Sequence, residues 1–119
     1  MCSSDLNLGM TEALKTPTQR IGDRSMTAVQ AALTLGLGVV ASGSIGQGKF
    51  AALPADAQKA LGPDLSSDAQ RALQFTRSAP GVTTALIGMK QPRHVGEALA
   101  LCAEPPLDAG IYRGLLGLA

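Results

Sequence analysis

The sequence predicts an α/β fold built on parallel strands, and three observations carry that prediction. Two short apolar runs, 38–42 and 82–87, are too short for buried helices and rich enough in β-branched residues for buried strands. Stretches with apolar residues at helical spacing precede each run and follow the second, so helices and strands alternate. Glycine or proline stands at most of the junctions. Alternation of this kind implies right-handed β–α–β connections and parallel pairing. Two parallel strands leave an edge open on each side, so the pattern reads as a segment of a larger sheet or barrel.

The elements follow in order. Met26, Val29 and Leu33 fall at helical spacing and predict a helix over 25–35, capped by Asp23 or Ser25 and ended by a left-handed Gly36. The run 38–42, with Val39, Val40 and Ala41, is the first strand, and a glycine-rich loop, 43–49, leaves its C-terminal end. The stretch 50–65 is irregular around Pro54 and Pro63, with a helical turn over 56–61. Ser67 with Gln70 matches a capping box, and Ala69, Ala72, Leu73 and Thr76 mark one face of a helix running to Ser78. Ala79, Pro80 and Gly81 stop that helix, and 82–87 follows as the second strand, closed by Gly88. Pro92 suits a first helical turn, with Val95, Ala98, Leu99 and Cys102 as its apolar stripe. Glu104, Pro105 and Pro106 end it, and the tail 107–119 forms a last short helix interrupted by glycines.

Composition narrows what such a chain can do. At 119 residues it is shorter than a complete α/β barrel, which needs about 250. Apolar residues at 45% and charged residues at 16% are an ordinary globular balance, but Phe50, Phe75 and Tyr112 are the only aromatics, so large core anchors are few. A net charge of +1 gives no field that would recruit nucleic acid or an acidic membrane. Cys2 and Cys102 stand at opposite ends without metal-ligand spacing, so a reduced setting is expected and no metal site. The first six residues lack the basic and apolar regions of a secretory signal, and a cytoplasmic location is expected. The uncharged stretch 25–48 carries Gln30, hydroxyl residues and several glycines, which argues against a membrane span.

Two glycine patterns touch on phosphate chemistry. Gly43, Gly48 and Lys49 have the spacing of a nucleotide hydrolase phosphate loop, but Phe50 stands where a magnesium-binding hydroxyl is needed and Pro54 interrupts the following helix. Gly36 and Gly38 precede their strand instead of following it, so the dinucleotide fingerprint is absent. What remains is a glycine-rich loop after one strand and a second loop, 88–91, after the next. The second opens a helix whose start carries Lys90, Arg93 and His94. Both loops fall at the same end of a parallel sheet, where free backbone N–H groups and basic side chains favour an anion such as a phosphate. The plainer reading makes the glycines turn residues and the basic side chains solvated ones.

The segment 68–101, DAQRALQFTRSAPGVTTALIGMKQPRHVGEALAL, resembles the C-terminal signature of aldo/keto reductases. GVVASGSIGQGK, 38–49, is similar to that family's seventh barrel strand and following loop, and Asn7, Leu8 and Gly9 look like the end of its sixth strand. The resemblance implies the last strands and helices of a (β/α)8 (TIM) barrel over 7–106, after an unmatched segment 1–6 and before a tail 107–119. It implies NADPH-dependent reduction of aldehydes or ketones by the complete enzyme, with NADH as the other nucleotide to consider. Ser42, Gly43, Ile45, Gly46 and Gln47 would lie along the nicotinamide and pyrophosphate, and Gly88, Met89, Lys90, His94 and Glu97 around the adenosine and its 2′-phosphate. Lys90 is the first choice for the 2′-phosphate and His94 the second.

This sequence also departs from the family. Ala98 replaces an asparagine that contacts adenine, Gly96 replaces a helix-favouring acidic residue, and Ser42 stands where many members stack an aromatic ring on nicotinamide. The family's tyrosine, lysine, aspartate and histidine belong to earlier strands, and Tyr112 lies beyond the barrel strands, so no catalytic residue is carried over. The chain alone is therefore expected to be inactive. Two other readings stand beside the truncated enzyme. One is a non-catalytic module that binds a nucleotide or regulates a full-length relative by docking on its exposed barrel strands, and the other is a small interaction protein that presents the helix 26–35.

Overall fold

The computed structural model describes residues 3–7, 18–42 and 55–118. Strand β1 (Ser3–Asn7) comes first, then an antiparallel hairpin of β2 (Thr18–Ile21) and β3 (Arg24–Thr27). Gly22 makes its two-residue turn with φ +62°, a conformation glycine adopts without strain. Helix α1 (Ala28–Thr34) follows, then β4 (Gly38–Ser42), α2 (Ala55–Leu61), α3 (Asp68–Ser78), β5 (Thr84–Ala85), α4 (Pro92–Cys102) and α5 (Ala109–Leu118). β1, β4 and β5 form one parallel sheet in that order. The chain is an α/β segment with the helix–strand alternation of a partial (β/α)8 barrel.

The helix expected over 25–35 starts three residues later, at Ala28, and neither Asp23 nor Ser25 caps it. Residues 24–27 are drawn into the hairpin, and the cap passes to Thr27. Its hydroxyl accepts the Gln30 N–H at 3.2 Å, while the Gln30 side chain accepts the Thr27 N–H at 3.0 Å. Met26, placed on the helix face by spacing, therefore lies in β3. The C-terminal end is as expected: Gly36 has φ +69°, Leu37 N–H reaches the Ala32 carbonyl and Gly36 N–H the Leu33 carbonyl.

β4 has the predicted bounds, and its alternate residues Val39 and Ala41 are fully buried. The second predicted strand is corrected from 82–87 to the two residues of β5. Thr83 N–H donates to the Val39 carbonyl at 2.9 Å and Leu86 N–H to the Ala41 carbonyl at 2.8 Å, so three steps along one strand span two along the other. An extra residue of this kind breaks the ladder and strengthens the local twist. The expected burial fails too, because β5 is the last strand of the sheet: Thr84 is exposed, and Leu86 just beyond it is 50% exposed. At the strand's entry, the Thr83 hydroxyl accepts the Val39 N–H at 2.9 Å.

Two hydrophobic clusters hold the helices to the sheet. The larger joins Val29 of α1, Ala41 of β4, Leu61 of α2, Phe75 of α3, and Tyr112 and Leu115 of α5. The Phe75 and Tyr112 rings stack at 4.7 Å between centroids. The smaller joins Leu65, Leu73 and Leu101, with Ala85 and Ile87 against them. Ser3, Ser4, Asp5 and Leu6, four of the six residues set apart in the sequence reading, lie in β1 in register with 38–41.

Candidate functional site at the carboxyl ends of the strands

Parallel pairing places the ends of three strands together. Asn7 pairs with Ser42 at the C-terminal ends of β1 and β4, and the loop leaving Ala85 emerges at the same end. In parallel α/β folds this is the end at which ligands bind, because every following loop converges there. Ser42 is half-buried. Gly43, Ile45, Gly46 and Gln47, with the phosphate-loop-like Gly48, Lys49, Phe50 and Pro54, lie outside the described residues, as do Leu8 and Gly9.

The second loop is described throughout. Gly88, Met89 and Lys90 are exposed along it, and Gln91 enters α4 as an N-cap with extended backbone (φ −134°) and no side-chain cap bond. The Gln91 side chain instead accepts the Arg93 Nε–H at 2.9 Å, and the Gln91 carbonyl accepts the His94 N–H at 3.0 Å. Pro92 occupies the first helical turn, where its missing N–H costs nothing. His94 and Glu97 are half-buried on the first turns of α4. The result is a helix N-terminus uncapped by side chains, beside Lys90, with His94 one turn in. Such an end favours an anion through its backbone N–H groups and the helix dipole.

What fixes this helix was not foreseen. Along α3, Gln70, Gln74 and Ser78 recur every four residues, are buried, and bond the backbone of α4 or the segment after it. Gln70 Nε2 donates to the Glu97 carbonyl at 3.0 Å, Gln74 Nε2 to the Pro105 carbonyl at 3.0 Å, and the Ser78 hydroxyl accepts the Leu107 N–H at 2.9 Å. Arg77 adds a bond to the Glu104 carbonyl; its pKa is lowered by partial burial, with Cys102 and Glu104 pulling the other way. Gln70 also accepts, through Oε1, from the N–H groups of Ser66 and Ser67. One amide thus caps α3 and holds α4. The four-residue recurrence of polar residues on α3 was legible as a signal, but not which backbone they reach.

The apolar stripe predicted for α4 is largely turned away from the protein. Val95 and Leu99 are 43% and 64% exposed, Cys102 is exposed and Ala98 half-buried, whereas Leu101 is the helix's buried residue. α3 covers α4 on the Leu101 side, so the stripe has no cover among the described residues.

No protein-family model and no curated protein matches the chain. Solved structures do. The aldo-keto reductase AKR11C1 from Bacillus halodurans matches in its holo form with a TM-score of 0.61 at 19% identity, over 100% of this chain and 43% of that one. Its apo form matches with the same TM-score and identity, over 44% of its length. The fold is a portion of a (β/α)8 barrel, similar to the barrel of these aldo-keto reductases. The chain spans less than half the length of these aldo-keto reductases, consistent with their C-terminal part.

Tyr112, the chain's single tyrosine, sits in α5 at 6% exposure, stacked on Phe75. Burial pushes its hydroxyl pKa up from 10.0 to about 12. It serves the core, in the larger cluster with Phe75 and Leu115. The described residues contain no cluster of acidic, histidine and cysteine side chains that could hold a metal ion, and no described helix is long and apolar enough to cross a membrane.

Proposed function

We propose that the chain is the C-terminal portion of an aldo-keto reductase and supplies part of its NADPH site, while the proton donor and its partners come from other strands. The observation that supports this best is the convergence at one sheet end of Ser42, the 88–90 loop and the uncapped N-terminus of α4. Lys90 would take the 2′-phosphate as a point charge, with His94 beside it. Gly88 and Met89 would line the adenosine and Glu97 the ribose side, while Ser42, Gly43, Ile45, Gly46 and Gln47 would follow the pyrophosphate toward the nicotinamide. The residues fit an anionic group, since the helix end has no side-chain cap and Lys90 is exposed. They fit adenine less well, because Ala98 offers no polar atom. When bound, the nucleotide supplies the hydride that reduces a carbonyl; this chain's residues bind and orient it. With this reading go a cytoplasmic setting and no nucleic-acid partner.

The test is a titration of the isotopically labelled chain with NADPH and with NADH, followed by amide chemical shifts. The expected result is shifts confined to 42–49 and 88–97, tighter binding of NADPH, and about tenfold loss of that binding in Lys90→Glu, the order expected for one charge-assisted phosphate contact. Equal response to both nucleotides, or none, overturns the assignment of Lys90. Carbonyl reduction by the purified chain would overturn the placing of catalysis elsewhere.

Of the alternatives, the exposed stripe on α4 favours an interaction role over one built on the helix 26–35. The latter loses Met26 to β3, although Leu33 and Leu35 remain exposed.

A further inference from the structure

The half of α4 that carries the candidate site is the half least secured by its own sequence. Its start has no side-chain cap, Gly96 weakens its second turn, and its buried residue, Leu101, lies in the last turn. Lys90, His94 and Glu97 can serve a ligand there only if something else fixes how the first two turns are set.

The side-chain amide of Gln70 meets this stretch from α3. Gln70 is 6% exposed, and its Nε2 donates to the Glu97 carbonyl at 3.0 Å. Its Oε1 accepts the Ser66 N–H at 2.8 Å, the Ser66 hydroxyl at 3.0 Å and the Ser67 N–H at 3.2 Å. These partners leave the amide one orientation. Turned over, it would set an NH2 against two backbone N–H groups and an oxygen against a carbonyl. The capped start of α3 and the site-bearing turn of α4 are thus fastened to one group. Because the Glu97 carbonyl belongs to the helix backbone, a bond to it fixes the rotation of α4 about its axis, and with it the direction of His94 and of the first-turn N–H groups.

One turn further along α3 stands a matched comparison. Gln74, 2% exposed, donates through Nε2 to the Pro105 carbonyl at 3.0 Å and accepts the Arg77 Nε–H through Oε1. It fastens the segment beyond the other end of α4.

We propose that Gln70 is a positioning residue for the nucleotide, setting its affinity from beneath the site by holding the Glu97 turn of α4. This rests on the nucleotide reading above and deepens it.

Two variants test it. Gln70→Glu keeps the oxygen to which Ser66 and Ser67 donate, so α3 stays capped, and replaces the donor facing the Glu97 carbonyl by a second oxygen. Gln74→Glu makes the same exchange at Pro105 and keeps the acceptor for Arg77. Wild type and both variants, checked by circular dichroism, are titrated with NADPH while backbone and side-chain amide shifts are followed. Gln70→Glu should bind about tenfold more weakly, the order of one buried hydrogen bond, with the amides of 92–97 already displaced before nucleotide is added. Gln74→Glu should stay within about twofold of wild type, as for a site that does not couple to the ligand. In the wild type, the Gln70 side-chain amide should shift on binding and that of Gln74 should not, a readout that stands even where Gln70→Glu does not fold. Unchanged binding by Gln70→Glu, an equal loss in Gln74→Glu, or a Gln70 amide that does not move overturns the positioning role and leaves Lys90 as the phosphate contact. No binding by the wild type overturns the nucleotide reading itself, and this inference with it.

Discussion

Helices α3 and α4 are both eleven residues long and amphipathic, yet among the described residues one is enclosed and the other is left half uncovered. α3 lies between α2 and α5 on one side and α4 on the other; Phe75 enters the larger cluster, Leu73 the smaller, and its polar residues are satisfied by backbone groups of the α4 region. Among the described residues, α4 is packed along its Leu101 flank. The difference teaches that apolar spacing reveals a helix and how wide its buried arc should be, while its neighbours decide which part of that arc is covered.

The most damaging way to break the enclosed side is Phe75→Ala. The ring is 1% exposed and stacked on Tyr112, so about 3–5 kcal/mol of stability should be lost in chemical denaturation. Next is Leu101→Ala, on the covered flank of α4 at 1% exposure, with an expected loss of about 2–4 kcal/mol. Gly81→Ala tests the loop that brings the chain from α3 to β5. Gly81 has φ +95°, and an added Cβ would meet Val29 Cγ1 and Leu33 Cδ1 at 2.7 Å, so destabilisation of about 1–3 kcal/mol is expected.

A gentler probe of the same core is alkaline pH. The Tyr112 hydroxyl is raised from 10.0 to about 12 in the folded chain, so above pH 10 the unfolded chain releases this proton first and stability declines toward pH 12. Tyr112→Phe should remove that part of the decline in denaturation curves taken at pH 9 and pH 11. The smallest effect belongs to the open flank: Leu99→Ala, at 64% exposure, should change stability by less than about 0.5 kcal/mol. A loss comparable to that of Leu101→Ala would show that the flank is covered in solution and collapse the contrast between the helices.

The candidate site was legible where chemistry is local. Lys90, Pro92 and His94 fall at the start of a helix opened by a strand, and the structure brings them there because Pro92 and the loop geometry are properties of a few neighbouring residues. Gln70 and Gln74, which hold that helix in place, were not legible, because their partners at Glu97 and Pro105 are 27 and 31 residues away. The hairpin was missed for a related reason. Gly22 and Asp23 are turn residues, but the uncharged stretch after Ser25 also fits a helix, and only pairing of Arg20 with Ser25 and Gln19 with Met26 decides between them.

By itself the sequence determined the elements whose signals are local: β4, the capping box of α3, the left-handed end of α1 and the start of α4. A cap, a left-handed glycine and a proline in a first turn each act within a few residues, so their outcome does not wait on the rest of the molecule. Only the tertiary structure decided that 24–27 pair as a strand, that β5 shortens around a bulge, and that α4 presents Leu101 inward and Leu99 outward. Each of these is a choice between surfaces of similar local preference, and it is settled by which backbone groups and apolar side chains the neighbouring elements leave to be satisfied.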